Sequence, residues 1–226
     1  MHLRDLTIAV PVYRDDPALN RLLAQLSDWP VEIIITHAGA APQLEVGPTT
    51  RMVQLVPAPA PNRGAQLALA AQRASREWLW FLHADSGLPA AVERQLNALS
   101  VPGWARFDVE LDDRRPMLRL VGAFMNLRSR LTGICTGDQG IIVHRSLLER
   151  IGGVPEQPLM EDIELSKRLR RIEAPQILRG PLITSARRWQ QQGIWRTVLS
   201  MWGLRLRYFF GASPQALADR YYGRAR

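Results

Sequence analysis

The apolar positions of this chain fall into short β-branched or leucine-rich runs separated by amphipathic stretches. Residues 6–12 (Leu-Thr-Ile-Ala-Val-Pro-Val) predict a first buried strand, 31–36 a second and 78–82 (Trp-Leu-Trp-Phe-Leu) a fourth, while 51–56 alternates enough to be the third. Asp15 reads as an N-cap with Pro17 in the first turn, opening a helix through 27. Residues 39–48 read as loop, and the prolines from Pro57 to Pro61 as a stiff connector. An alanine-rich helix then follows Asn62-Arg63-Gly64 through 76, and another covers 89–99. Strands alternating with helices imply a mostly parallel, doubly wound α/β sheet. Ligands of such sheets bind at the carboxyl ends of the strands, where His83-Ala84-Asp85 falls.

The second half is less regular. Residues 104–111 predict a strand with Arg106, Asp108 and Glu110 on one side and Phe107, Val109 and Leu111 on the other. A helix over 117–131 follows, then a short buried strand over 141–143. Ser146 reads as the N-cap of a short helix that Gly152-Gly153 ends. A further helix begins near Glu161, with Leu165, Leu169 and Ile172 as its apolar stripe. Asp162 then lies in a first helical turn, where the macrodipole favours an ionised carboxylate. Residues 176–182 return as a strand, and Ser185–Trp189 follows its end. As a helix, 193–210 places Trp195, Leu199, Trp202, Leu206 and Phe209 in one stripe, with Arg205 inside the apolar arc, where it must snorkel or pair. The stripe is either buried as a terminal helix or covered by the acceptor, a partner subunit or a bilayer surface.

Composition narrows the class. The chain has 226 residues, 46% of them apolar, enough for one domain with a full core. One cysteine, Cys135, excludes an internal disulfide and a multi-cysteine zinc site, and is expected to fill a gap in a reducing cytosol. Neither a leader peptide nor an apolar run of membrane-spanning length is predicted. The net charge of +8 is uneven: residues 1–100 hold 8 arginines against 9 acids, whereas from Arg179 onward there are nine arginines and one acid, Asp219. Arginine favours bidentate phosphate contacts, so the tail is expected to meet a phosphorylated ligand or an anionic membrane surface, with nucleic acid the less favoured partner.

Four motifs in one order carry a family resemblance: Phe81-Leu82-His83-Ala84-Asp85, Gly137-Asp138-Gln139-Gly140, the Met160-Glu161-Asp162-Ile163-Glu164-Leu165-Ser166 run, and Ser185-Ala186-Arg187-Arg188-Trp189. The chain resembles the family 2 glycosyltransferases, in particular a short bacterial subgroup, and the resemblance spans nearly its whole length. It implies the sugar-nucleotide transferase (GT-A) fold in one domain, 1–226. Within it, 1–100 is the nucleotide-sugar half, 101–192 the acceptor and catalytic half, and 193–226 a helical tail. It further implies inverting transfer of a sugar from a nucleotide-diphosphosugar to a hydroxyl acceptor, lipid-linked acceptors included, on the cytoplasmic side of the membrane or at its inner face.

On that resemblance Asp162 is the expected general base and Glu161 the next candidate. Asp85 is the expected contact to Mg²⁺ or Mn²⁺, which would neutralise a diphosphate leaving group. His83 stands where relatives carry a first aspartate, and is expected near the ribose or phosphate. Arg63 and Gln66, at the start of the third helix, and Arg187, Arg188 and Trp189 are expected at the donor, while Asp138 and Gln139 are expected on the acceptor side. Against these stand plainer readings: Asp85-Ser86-Gly87 and Asp138 as turns, and Arg187-Arg188 as solvated charges before a core tryptophan. One departure is clear. The second strand ends Thr36-His37-Ala38-Gly39-Ala40, without the acid that relatives use to read the base. The competing functions are an inactive transferase scaffold that binds membrane or nucleic acid through its arginines, and a nucleotidyltransferase.

Overall fold

In the computed structural model, which describes residues 1–45 and 52–223, seven strands form one sheet in the order β3-β2-β1-β4-β6-β5-β7. They are β1 (Leu6–Val12), β2 (Glu32–Ala38), β3 (Met52–Ala58), β4 (Trp78–Phe81), β5 (Trp104–Leu111), β6 (Ile141–His144) and β7 (Gln176–Thr184). All run parallel to their neighbours except β6, which is antiparallel to both β4 and β5. The mixed α/β architecture expected from the alternating pattern is therefore present. Of the expected third strand and the preceding loop, residues 46–51 lie outside the described residues.

The central strands are apolar on both faces because both faces are covered. β1 and β2 are almost wholly buried, whereas β3, an edge strand carrying Pro57, is mostly exposed or half-buried. One face packs Leu19 and Leu22 of α1 (Asp16–Gln25), Leu26 at its C-cap, and Val92 and Leu96 of α3 (Ala91–Asn97). The other packs Leu67 and Ala70 of α2 (Arg63–Arg73), Leu147 and Leu148 of α5 (Arg145–Arg150), and Leu165 and Leu169 of α6 (Glu161–Arg170). Beyond the sheet, α4 (Pro116–Thr132) lies along β5, and α7 (Arg187–Gln192), α8 (Ile194–Phe209) and α9 (Pro214–Gly223) close the chain. A small cluster of Leu159, Met160, Ile163, Leu204 and Leu217 fastens α8 and α9 to the start of α6.

One local expectation changes. Ser146 does not cap α5: His144 is the N-cap, and Ser146 donates its backbone N–H to the His144 ring at 3.3 Å, two residues on. The charged side of β5 is exposed at Glu110 and buried at its other two positions. Arg106 and Asp108 are buried and paired at 2.6 Å, Arg130 of α4 reaches the same carboxylate, and Asn126 of α4 bonds both the N–H and the carbonyl of Val109. The alternation along β5 is real, but α4 covers its polar face, so the charges are neutralised by each other rather than by solvent.

Because β6 alone is reversed, the turn before it sits at the same edge of the sheet as the carboxyl ends of β4, β5 and β7. That edge also receives the start of α6, brought in by a tight packing of α2 on the 155–157 segment. A Cβ on Gly64 would lie 2.4 Å from the Gln157 carbonyl oxygen and 2.6 Å from that of Pro155, both main-chain atoms. We expect Gly64→Ala to lower unfolding stability by about 1–3 kcal/mol through this backbone clash, read as a fall in the urea midpoint at unchanged slope.

Candidate active site

The start of α6 is set by an uncommon backbone. Met160, its N-cap, adopts φ +64°, a left-handed conformation costly for a side chain of that size. The turn sends the next two carboxylates in different directions. Glu161 goes inward, is buried, and pairs with Arg63 at the head of α2, and its second oxygen, Oε2, is left without a hydrogen bond. Asp162 stays half-buried at the surface of the site. Its Oδ2 accepts the Gly137 N–H at 2.9 Å and its Oδ1 accepts the Ile163 N–H at 2.7 Å. Ser166 donates to the Asp162 carbonyl at 2.7 Å and contacts the buried Cys135. The Cys135 thiol is pushed up to about 11 by burial, in keeping with a gap-filling residue rather than a nucleophile.

From Arg63 a polar chain crosses the edge of the sheet. An Arg63 guanidinium N–H lies 3.1 Å from His83 Nε2, His83 Nδ1 lies 3.2 Å from Asp138 Oδ1, and the Thr184 hydroxyl donates to the same oxygen at 3.2 Å. Since Arg63 can only donate, His83 must accept on Nε2 and donate from Nδ1, which assigns the neutral Nδ1–H tautomer from the network. Burial pushes the Asp138 carboxyl up, but the hydrogen bond from His83, the Arg63 charge and the Thr184 hydroxyl hold it well below the usual carboxylate range. Burial would lower the Arg63 guanidinium, and the Glu161 and Asp162 carboxylates raise it instead. Gly137 is required here for close approach: a Cβ would lie 2.3 Å from His83 Nε2.

Asp85 sits one turn beyond His83, on a loop pinned to β7 by two hydrogen bonds between Gly87 and Ile183, at 2.7 and 3.0 Å. Asp85 is half-buried, and its charge is felt by Arg187. Among the described residues no three His, Cys, Asp or Glu side chains converge as a metal cage. A single free carboxylate does fit a cation bound mainly through substrate phosphates and water. Arg187 pairs with Asp15 at 2.7 Å, Arg188 lies 4.9 Å from the Tyr221 ring centroid, and Trp189 is half-buried behind them. At the ends of β1 and β2 a cavity of about 240 Å³ is lined by Val12, Arg14, Asp16, His37 and the 38–42 segment.

Two of the expected ligand-binding residues are spent on the protein itself. Gln66 is buried, and its amide donates to the Val12 and Thr36 carbonyls at 3.1 and 2.7 Å, joining the ends of β1 and β2. Gln139 is fully buried and bonded to the Thr136 N–H, the Phe107 carbonyl and Asn126. Both shape the site from beneath without offering a free group to a ligand. Conversely, the site gains Thr184, which carries no signal in the sequence, and two arginines, Arg128 and Arg205. Only Arg205 is signalled, as the one charge inside an apolar helical arc.

The fold is the GT-A glycosyltransferase fold. The chain is similar to a mannosyltransferase from Pyrobaculum calidifontis solved with GDP-Man and Mn²⁺, with 18% identity over 80% of this chain and 56% of that one at a TM-score of 0.56. It is also similar to residues 1–349 of S. aureus TarS, with 14% identity over 82% of this chain and 61% of that one at a TM-score of 0.60. The same TarS fragment in complex with UDP-GlcNAc matches at 14% identity, 82% and 58% coverage and a TM-score of 0.59. The chain thus spans little more than half the length of these structures. No protein-family model and no curated protein matches it.

The Asp138 environment has a pH consequence. Its folded pKa lies below the unfolded value of about 4, so the stabilisation is fully present above that value and is lost as pH falls through the folded pKa. Asp138→Asn should therefore lose stability relative to wild type at pH 6, with the gap shrinking steadily below about pH 4, as measured by urea unfolding at each pH. A gap independent of pH would mean that the carboxylate charge is not what His83 and Arg63 hold.

Proposed function

We propose that this chain is an inverting glycosyltransferase of the family 2 type, which moves a sugar from a nucleotide-diphosphosugar to a hydroxyl acceptor. The observation that carries the reading is the Asp162 carboxylate, held by Gly137 and Ile163 N–H groups at the ligand-binding edge of a GT-A sheet, next to the turn that carries Asp138. On this reading the nucleoside occupies the cavity at the ends of β1 and β2. The diphosphate then runs past Asp85 toward Arg63, with Arg188 and Trp189 closing over it. The acceptor oxygen attacks the anomeric carbon as its bond to the diphosphate breaks. The diphosphate leaves with that electron pair, and the acceptor proton passes to Asp162. Glu161 acts through Arg63, which it orients and neutralises. Mg²⁺ or Mn²⁺ at Asp85 would supply charge neutralisation of the leaving diphosphate.

The test is a thermal-shift screen of nucleotide-diphosphosugars with Mn²⁺, followed by turnover on any donor that binds. A donor at a hundred times its dissociation constant should add about 2.7 kcal/mol of stability. Asp162→Asn should keep that shift and lose about 10²–10⁴-fold in kcat, while Asp85→Ala should lose the Mn²⁺-dependent part of the shift. The absence of any donor response would favour the inactive-scaffold reading, which the engagement of His83 by Arg63 and Asp138 also suits.

We further propose an acceptor at a membrane surface, a reading that the C-terminal helices support. Trp195, Leu199, Trp202, Leu206 and Phe209 of α8 are 59% to 76% exposed, so the aromatic stripe is not buried against this chain. Thr197, Leu204, Met201 and Tyr208 form its packed side instead. Leu120, Phe124, Leu127 and Leu131 of α4 form a second exposed apolar stripe. No helix among the described residues is long and apolar enough to cross a membrane. An aromatic helix face flanked by Arg196 and Arg207 suits the interface of an anionic bilayer. Wild-type protein should pellet with anionic vesicles at low salt, and Trp202→Ser with Phe209→Ser should release it with an unchanged unfolding midpoint. Wild type that stays in the supernatant with anionic and neutral vesicles alike would make the stripe a subunit interface.

A further inference from the structure

Arg128 extends from α4 and Arg205 from α8, and the carboxylates whose charge they feel are Asp162 for both and Asp138 for Arg205. Both arginines are half-buried, yet among the described residues neither belongs to an ion pair. Arg128 Nε and Nη2 are sealed from water and have no hydrogen-bond acceptor. Neighbouring cations have ionic or carbonyl partners: Arg63 pairs with Glu161, Arg106 and Arg130 share Asp108, although Arg106 Nε and Nη2 also lack acceptors, and Arg145 donates to the Ala74 and Arg76 carbonyls. Burial first, and the Arg205 charge second, draw the Arg128 guanidinium down to about 10, and burial lowers Arg205 as well. Two half-buried like charges without an ion-pair partner, one of them with idle buried donors, are costly to fold, and a shared anion would relieve both.

The position says which substrate brings that anion. Arg63, at the head of α2, pairs with Glu161 and bonds His83 on the side assigned to the donor. Arg128 and Arg205 come from α4 and α8, the helices that carry the exposed apolar stripes. The anion therefore belongs to the acceptor rather than to the donor diphosphate. We propose that Arg128 and Arg205 form an anion subsite for the acceptor, and that the acceptor carries a phosphate group close to the hydroxyl it presents to Asp162. A tetrahedral dianion can accept from two guanidinium forks at once and matches their two charges, which a single carboxylate does not. The proposal rests on Asp162 facing the acceptor, and it names the chemical class that the acceptor belongs to.

The full chain is titrated calorimetrically with inorganic phosphate, glycerol 3-phosphate and dihexanoyl phosphatidic acid, and separately with UDP and GDP. Wild type should bind glycerol 3-phosphate, Arg128→Gln and Arg205→Gln should each weaken it at least tenfold, and Arg188→Gln should change it less than twofold. Nucleoside diphosphate affinity should stay within twofold in the Arg128 and Arg205 variants. Failure of the donor reading, seen as no nucleotide binding by wild type, is thus separable from failure of the phosphate subsite. Tighter binding of the phosphatidic acid than of glycerol 3-phosphate would identify a lipid-borne headgroup, and equal binding a soluble phosphomonoester. Folding supplies an independent readout. Arg128→Met, which removes the orphaned donors, should keep or raise the ligand-free Tm while losing the phosphate-induced shift. Wild type that ignores all three phosphates, variants that bind them as well as wild type, or an Arg128→Met protein whose ligand-free Tm falls by several degrees would each overturn the proposal.

Discussion

The site depends on the guanidinium of Arg63. It is the one group that touches both the buried Glu161 of α6 and the His83 ring after β4, and through His83 it reaches Asp138 and Thr184. Four segments far apart in sequence are thereby held in one register. Glu161 makes the arrangement obligatory, since a buried carboxylate with one oxygen already unpartnered cannot also lose its cation. About a third of the Arg63 side chain meets water, so the loss on removing it should be nearer ~2 kcal/mol than the larger cost of breaking a fully buried pair. The geometric loss would be greater, because the His83 tautomer and the Asp138 orientation both follow from what Arg63 donates.

This chain also shows how a polar pattern and an apolar pattern can each be turned inside out. Arg106 and Asp108 alternate along β5 as a solvated face would, yet α4 closes over them and their charges are paired as a buried group with Arg130, with Arg106 Nε and Nη2 left without acceptors. The stripe of α8 repeats as a core face would, yet it is the exposed side, and the packed side is the one carrying Thr197, Leu204, Met201 and Tyr208. In both cases the periodicity identifies the faces of the element correctly. Which face meets water is decided by what the rest of the chain lays over it, and that is tertiary information.

The sheet was largely legible for the same reason. β1 occupies the expected 6–12, and β2, β4 and β5 follow their apolar runs within two residues, because parallel strands buried on both faces leave an unbroken hydrophobic signature. Helix ends were less legible: the first two helices stop at Gln25 and Arg73 rather than at 27 and 76, and a histidine rather than Ser146 caps α5. At the site, the acidic residues could be read because carboxylates at strand and helix ends are few. Gln66 and Gln139 could not be told from ligands, since an amide that bonds two main-chain carbonyls looks the same in sequence as one that bonds a sugar. Arg128 gave no sign at all, since the want of a partner is a property of three-dimensional surroundings.

On the proposed reading of Asp162 as the base, the way it is held raises a chemical question. Two N–H donors fix its carboxylate in place at the head of α6. A strong base would be needed only if the acceptor hydroxyl had to be deprotonated before attack. In an inverting displacement the oxygen becomes positively charged as it bonds to the anomeric carbon, and its proton turns from weakly to strongly acidic along the same coordinate. A carboxylate then suffices, provided that it is fixed in place before the proton becomes available. The two N–H bonds give that fixity, each occupying one lone pair of one oxygen and leaving another free toward the acceptor. On that reading position matters more than base strength, and the main-chain N–H groups of Gly137 and Ile163 are what supply it.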